Sequence, residues 1–160
     1  MDMKIAIGND HRGFEAKQLI KAIITQLGHE AIDFGSSDNN PVDYPDLAYL
    51  AATAVSKKEA DRAILVCGTG IGMSIAANKI KGVRAALCND ELSARISRHH
   101  NDANVLCVSG DMTGEVLLRK MVEVWLETEF SGGRHQRRIE KIAAIEEGND
   151  PRKIKNKKGK

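Results

Sequence analysis

Aromatic residues are scarce in this chain: phenylalanine, tyrosine and tryptophan make up 4% of its 160 residues. Stacking platforms for single-stranded nucleic acid need more of them, so that class is set aside. No apolar run approaches the ~20 residues of a spanning helix, which excludes a helical membrane protein. The start, MDMKIAIGND, lacks the apolar core of a signal peptide, so a cytoplasmic location is expected. Three cysteines are an odd number, and free thiols are expected. Neither C-x-x-C nor H-E-x-x-H spacing occurs, so no metal site is expected; no cofactor is expected either. A strong charge of one sign is also missing, since 24 basic and 22 acidic residues leave +2. Even that excess is local. Residues 149–160 hold six basic residues and one acidic one, so residues 1–148 carry 18 basic and 21 acidic, a net of −3. The basic end reads as a solvated, disordered tail, and neither a nucleic acid nor a membrane is expected as partner.

What the chain does have is a regular alternation of short apolar runs and helical stripes. Hydrophobic residues make up 42% and charged residues 29%, the balance of a folded domain. Strands are predicted at Lys4–Gly8, Glu30–Phe34, Ala63–Cys67, Val83–Cys88 and Asn104–Ser109. Helices are predicted from Phe14 to Leu27, from Pro45 through Val55 with Asp43 as cap, and from Gly72 to about Asn78. Three more follow: one capped by Asp90 and running to about His100, one over Gly114–Glu129, and one over Arg134–Glu147. Five strands separated by helices imply an α/β fold of Rossmann-like, three-layer form. Its five-stranded sheet is mostly parallel, with helices on both faces. Ligands of such sheets bind at the carboxyl ends of the strands. That rule selects Asn9–Gly13, Gly35–Asp43, Gly68–Gly72, Asn89-Asp90 and Gly110–Thr113.

The most informative of these loops is Cys67-Gly68-Thr69-Gly70-Ile71-Gly72. Glycines leave backbone N–H groups unobstructed, and the start of a helix adds unpaired N–H donors and a positive dipole end. Such a place suits an anion or a developing oxyanion. No Gly-Lys-Ser/Thr follows, and Met73 stands where a dinucleotide fingerprint needs glycine, so neither nucleotide motif is matched. A simple tight turn is the plainer alternative. Cys67, at the strand end, reads as base or nucleophile, because helix N-termini favour the thiolate. Cys88 and Cys107 read as small core residues. Asp10-His11 follow the first strand, and His99-His100-Asn101 close the helix before the fifth. The two histidine segments are expected near one sheet edge, where histidine suits proton transfer. Arg134 and Arg138, with His135 and Arg137 beside them, share a helical face fitted to phosphate oxygens. Tyr44 reads either as a pocket wall or as part of a helix start.

Together these segments resemble a known family, the type B ribose-5-phosphate isomerases, with the related galactose- and allose-6-phosphate isomerases. The resemblance rests on Asp10-His11, VDYPD at 42–46, CGTGIGMSIAANK at 67–79, RHHNDANVL at 98–106 and GGRHQRRI at 132–139, in the family's order over residues 1–148. It implies a metal-independent aldose–ketose isomerase acting on ribose 5-phosphate and ribulose 5-phosphate through a cis-enediolate. Carried over, Cys67 matches the base, Gly68, Gly70, Ile71 and Gly72 the loop that holds the enediolate oxygens, and Thr69 a hydroxyl there. His100 matches the acid that opens the sugar ring. Asp10 and Asn101 match contacts to substrate hydroxyls, and His11, Arg134 and Arg138 the phosphate end. In the family the two arginines come from a partner subunit, which implies a homodimer, with a tetramer of such dimers also open. A branch with glutamate as base places it where this chain has Met73. One position departs: Gly110-Asp111 stands where members commonly read Gly-Arg. That leaves a six-carbon sugar phosphate open as substrate. A non-catalytic phosphate- or nucleotide-binding module is the reading outside the enzyme class.

Overall fold

A computed structural model describes residues 2–154. The apolar runs form strands because their alternate side chains serve two separate cores. On β1 (Lys4–Asn9), Ile5 and Ile7 point into one core and Ala6 into the other. β3 (Arg62–Cys67) sends Ile64 and Val66 to the first core, and Ala63, Leu65 and Cys67 to the second. β5 (Val105–Ser109) divides Leu106 and Val108 from Val105 and Cys107 in the same way. A strand buried on both faces reads as an uninterrupted apolar run, and the sheet between such cores is parallel. The order is β2-β1-β3-β5-β4, where β2 is Glu30–Asp33 and β4 is Ala85–Leu87, and every pairing is parallel.

Helices cover both faces. α1 (Phe14–Gln26), α4 (Glu91–Asn101) and α5 (Glu115–Glu127) close the first core, with Ile20, Ile23, Ile24, Ala94, Met121 and Trp125 buried in it. α2 (Tyr44–Ser56) and α3 (Ile71–Ala77) close the second with Ala48, Ala51, Ala52, Val55, Met73 and Ala77. The last helix, α6 (Arg134–Glu146), covers neither face and buries no residue of its own. Arg62 and Arg98 finish α5. Arg62 Nη1 donates to the carbonyls of Trp125 (3.0 Å) and Leu126 (2.9 Å), and Arg98 Nε to that of Thr128. Both guanidinium groups lie over the Trp125 ring. Burial, with the charge of Arg98, pushes the Arg62 guanidinium down to about 10.

The layered α/β architecture agrees with the sequence reading, with the sheet wholly parallel. The fourth strand is shorter than predicted because at Arg84 only the carbonyl still reaches β5, where it accepts the Val105 N–H at 3.3 Å. The Arg84 N–H binds the Asn104 side chain, and its guanidinium binds the carbonyls of Asn101 and Asp102. Asp90 caps α4 in a reciprocal capping box with Ser93, as expected. Asp43 precedes α2 but makes no side-chain cap, and Pro45 in the first turn does the local work. The predicted tail begins with a short turn over Pro151–Lys153, capped by Asp150, while 155–160 lie outside the described residues. Among the described residues, no helix is long and apolar enough to cross a membrane.

Candidate active site

The connections that leave the neighbouring strands β1 and β3 run in opposite directions, to β2 on one side and to β4 on the other. A crevice therefore opens where the carboxyl ends of β1 and β3 lie side by side. Asn9 pairs with Val66 there, which brings Asp10 and Cys67 to the same edge. The Asp10 N–H donates to the Val66 carbonyl at 3.2 Å. Its buried carboxylate accepts from the N–H groups of Arg12 (3.0 Å) and Gly13 (3.1 Å), which locks the first loop into a turn.

Cys67 ends β3 and is 5% exposed. Its Sγ accepts the N–H of Gly70 at 3.2 Å, so the loop folds back over the sulfur. Gly70 must be glycine, since its φ is +76° and a Cβ would stand 2.7 Å from Leu87 Cδ1 and 2.9 Å from the Val108 carbonyl carbon. Thr69 Oγ1 accepts from the Ile71 N–H at 3.2 Å. Gly72, in the first turn of α3, lies beneath the Tyr44 ring, where a Cβ would meet Cε2 and Cζ at 2.5 Å. Tyr44 is thus a wall of this loop as well as part of a helix start. α3 has seven residues, so its dipole is short, and what the loop offers an anion is those of its N–H groups that Cys67 Sγ and Thr69 Oγ1 do not already hold. Ser109 anchors the loop from β5: its hydroxyl donates to the Gly68 carbonyl at 2.5 Å and accepts the Met112 N–H at 2.9 Å. Burial pushes the thiols of Cys88 and Cys107 up, which marks them as inert core groups.

His11 and Asp111 complete this edge. His11 Nδ1 accepts the Val42 N–H at 3.4 Å, which leaves Nε2 to carry the proton of the neutral ring. Asp111 does not stand alone. Its Oδ2 takes Arg12 Nε at 2.6 Å and Nη2 at 2.5 Å. Sequence reasoning passed over Arg12 and Ser109. The signal for Arg12 was available, because no other lysine or arginine occurs in the five loops that follow the strands.

The remaining candidates gather elsewhere. The expectation that both histidine segments share one sheet edge is wrong, for a topological reason. In a parallel sheet a helix starts at the carboxyl edge and ends at the amino edge. α4 therefore carries His100 and Asn101 to the start of β5, and the Asn101 carbonyl binds Arg84 just before β4. His100 stacks on His135 of α6, with ring centroids 4.2 Å apart and planes within 7°. Burial, then the charges of His100, Arg134, Arg138 and His99, push His135 down. Arg134 and Arg138 are exposed on the same helix. One edge thus holds Asp10, His11, Tyr44, Cys67 and Thr69, and the other His100, Asn101, Arg134 and Arg138. β3 alone separates them by about 16 Å.

Comparison with known proteins supports one assignment. Residues 5–142 match the model of a family described as Ribose/Galactose Isomerase. The chain is 49% identical over 148 residues to a putative sugar phosphate isomerase of Bacillus subtilis, covering 92% of this chain and 99% of that one. It is 47% identical to the ribose-5-phosphate isomerase B of Escherichia coli, covering 90% and 97%. Ribose-5-phosphate isomerase B of Clostridium thermocellum superposes with a TM-score of 0.89 at 49% identity, over 91% of this chain and 99% of that one. The Mycoplasma genitalium enzyme, solved with bound ribulose 5-phosphate, superposes at 0.88 with 42% identity, over 92% and 98%. With the sheet order, the glycine loop and these matches in agreement, the chain is an isomerase belonging to the ribose/galactose isomerase family.

Proposed function

We propose that this isomerase interconverts ribose 5-phosphate and ribulose 5-phosphate through a cis-enediolate, in a site assembled from two copies of the chain. The observation that carries the chemistry is the Cys67 sulfur beneath the Gly68–Gly72 loop, with Gly70 N–H already donating to it. Moving a proton between C1 and C2 of an aldose needs a base at the carbon and donors for the developing oxyanion. In this reading the Cys67 thiolate removes the C2 proton and returns it to C1, while the hydroxyl proton passes from O2 to O1. The loop N–H groups and the Thr69 hydroxyl hold the two enediolate oxygens. Asp10 and Asn101 bind hydroxyls, His100 opens the ring by moving a proton at the ring oxygen, and His11, Arg134 and Arg138 receive the phosphate.

Two observations support assembly from two copies. The candidates are divided between opposite sheet edges, so a complete set requires one chain's amino edge against another's carboxyl edge. α6, which bears Arg134 and Arg138, buries nothing in its own chain and exposes Ile142 and Ile145 beside a cavity of about 420 Å³. An isologous dimer satisfies both. His100 and Asn101 then arrive from the partner together with the arginines.

The test is kcat/KM for ribose 5-phosphate, allose 6-phosphate and galactose 6-phosphate. A preference for ribose 5-phosphate is expected, and preference for either hexose phosphate reassigns the substrate. Cys67→Ala should lower kcat by at least 10²-fold while ribose 5-phosphate still binds. Full activity in that variant removes Cys67 as the base.

A further inference from the structure

The Arg12–Asp111 ion pair is unexplained by the chemistry assigned so far. It joins the loop after β1 to the loop after β5, and it lies directly over Gly68. A Cβ on Gly68 would stand 3.0 Å from Asp111 Oδ2 and 3.2 Å from both Cδ and Nε of Arg12. Gly68 thus leaves room for the pair at the mouth of the Cys67 loop. One carboxylate oxygen holds Nε and Nη2 of the guanidinium, so both Nη1 hydrogens and the outer Nη2 hydrogen remain to donate. The Arg12 side chain is 58% exposed, open to a ligand on that outer face. Its backbone is held by the Asp10 carboxylate, and the Arg12 carbonyl packs against Gly110, so the group is mounted on a fixed turn.

The charge around it sharpens the point. The five loops after the strands hold five aspartates, Asp10, Asp38, Asp43, Asp90 and Asp111, and a single arginine. A phosphate monoester approaching this edge meets one guanidinium on its own chain. We propose that Arg12 is a substrate-binding residue that takes the phosphate end of the sugar, and that Asp111 is its positioning residue. This rests on the sugar-phosphate reading above. The planar fork of arginine suits phosphate oxygens, and a carboxylate behind it fixes the fork's direction at the cost of some local negative charge.

Binding and turnover are measured separately, so that the two readings fail separately. Calorimetry in the Cys67→Ala background reads the affinity for ribose 5-phosphate and for inorganic phosphate. Arg12→Met should weaken both at least tenfold, and Arg12→Lys should recover part of the loss. In otherwise wild-type enzyme, Arg12→Met should raise KM tenfold and change kcat less than threefold. Asp111→Asn should tighten phosphate binding when Arg12 is methionine, because a repelling charge is removed, and should not tighten it when Arg12 is present. Equal tightening in both backgrounds overturns the positioning role. Affinities within twofold of the parent for Arg12→Met overturn the proposal. Wild-type enzyme that binds phosphate through Arg12 yet isomerises no sugar phosphate overturns the proposed function and leaves the phosphate contact standing.

Discussion

Mixing two inactive variants distinguishes a site built from two copies from a site built in one. Cys67→Ala removes the base from the carboxyl edge. The pair His100→Ala, Arg138→Ala removes the acid and one phosphate cation from the amino edge. Each variant alone is expected to be inactive. In an isologous dimer of the two, one site combines both damaged halves, and the other combines Cys67 of one chain with His100 and Arg138 of its partner. Equal mixing with free exchange makes half the dimers mixed, and half of their sites intact, so about a quarter of wild-type activity returns. If Cys67 and His100 acted within one chain, every site would lack one or the other and nothing would return. The structure favours the first outcome: the length of β3, about 16 Å, separates the edges, far beyond the ~3 Å reach of a hydrogen bond. The assay is ribulose 5-phosphate formation after the variants are mixed, partly unfolded in urea and refolded together, with each variant refolded alone as the control. Absence of recovered activity, with mixed dimers demonstrated by mass, refutes the two-copy site.

Three further outcomes follow from the local geometry. Gly70→Ala places a side chain at a φ of +76° and against the Val108 backbone, and should cost about 2–4 kcal/mol in urea unfolding; a loss below about 0.5 kcal/mol would contradict the close approach. Asp33 is pushed up by burial, but the Gly35 N–H, Lys21 and Lys17 outweigh this and leave its carboxyl below the ordinary 3.8. Its stabilisation is therefore present above pH 3.8 and lost as pH falls through the lowered value, so Asp33→Asn should cost about 1–2 kcal/mol at pH 7 and progressively less below pH 4, read from urea midpoints. His135 of the isolated chain should titrate below the ordinary 6.5 in an NMR pH series, because burial and neighbouring cations disfavour its charge; a midpoint at or above 6.5 in dilute, monomeric protein would contradict this.

Much of the fold was legible because strands buried on both faces leave an unmistakable mark. Ala63 to Cys67 contains no polar residue, and each of its side chains enters one of the two cores. The Cys67 loop was legible for a related reason, since glycines after a buried strand have few uses besides a tight turn and close approach. The Asp43 cap was misread, because a residue of the right type at the right position still has to aim its oxygen at an N–H group. The larger miss was where His100 lies. Nearness in sequence to strand five is not nearness to its carboxyl end, because a residue just before a parallel strand lies at the opposite edge. Arg12 escaped because a lone arginine in a loop has no periodicity. Its partner Asp111 lies 99 residues away and is brought to it only by the pairing of β1, β3 and β5.

The charge distribution links affinity to assembly. The carboxyl edge of one chain carries five aspartates in its loops against Arg12, while Arg134, Arg137 and Arg138 stand together on α6. A doubly charged phosphate meets net repulsion at the carboxyl edge of a lone chain, which Arg12 offsets only in part. When α6 of a second copy is set against that edge, its arginines neutralise the aspartates and supply the cations that the loops lack. On the two-copy reading, the substrate then binds the dimer far better than the monomer. By linkage, phosphate must in turn hold the dimer together, so that dilution dissociates the free enzyme sooner than the phosphate-bound one. Sedimentation at falling protein concentration, with and without inorganic phosphate, reads this directly. A dimer whose dissociation is indifferent to phosphate would mean that the α6 arginines do not reach the site.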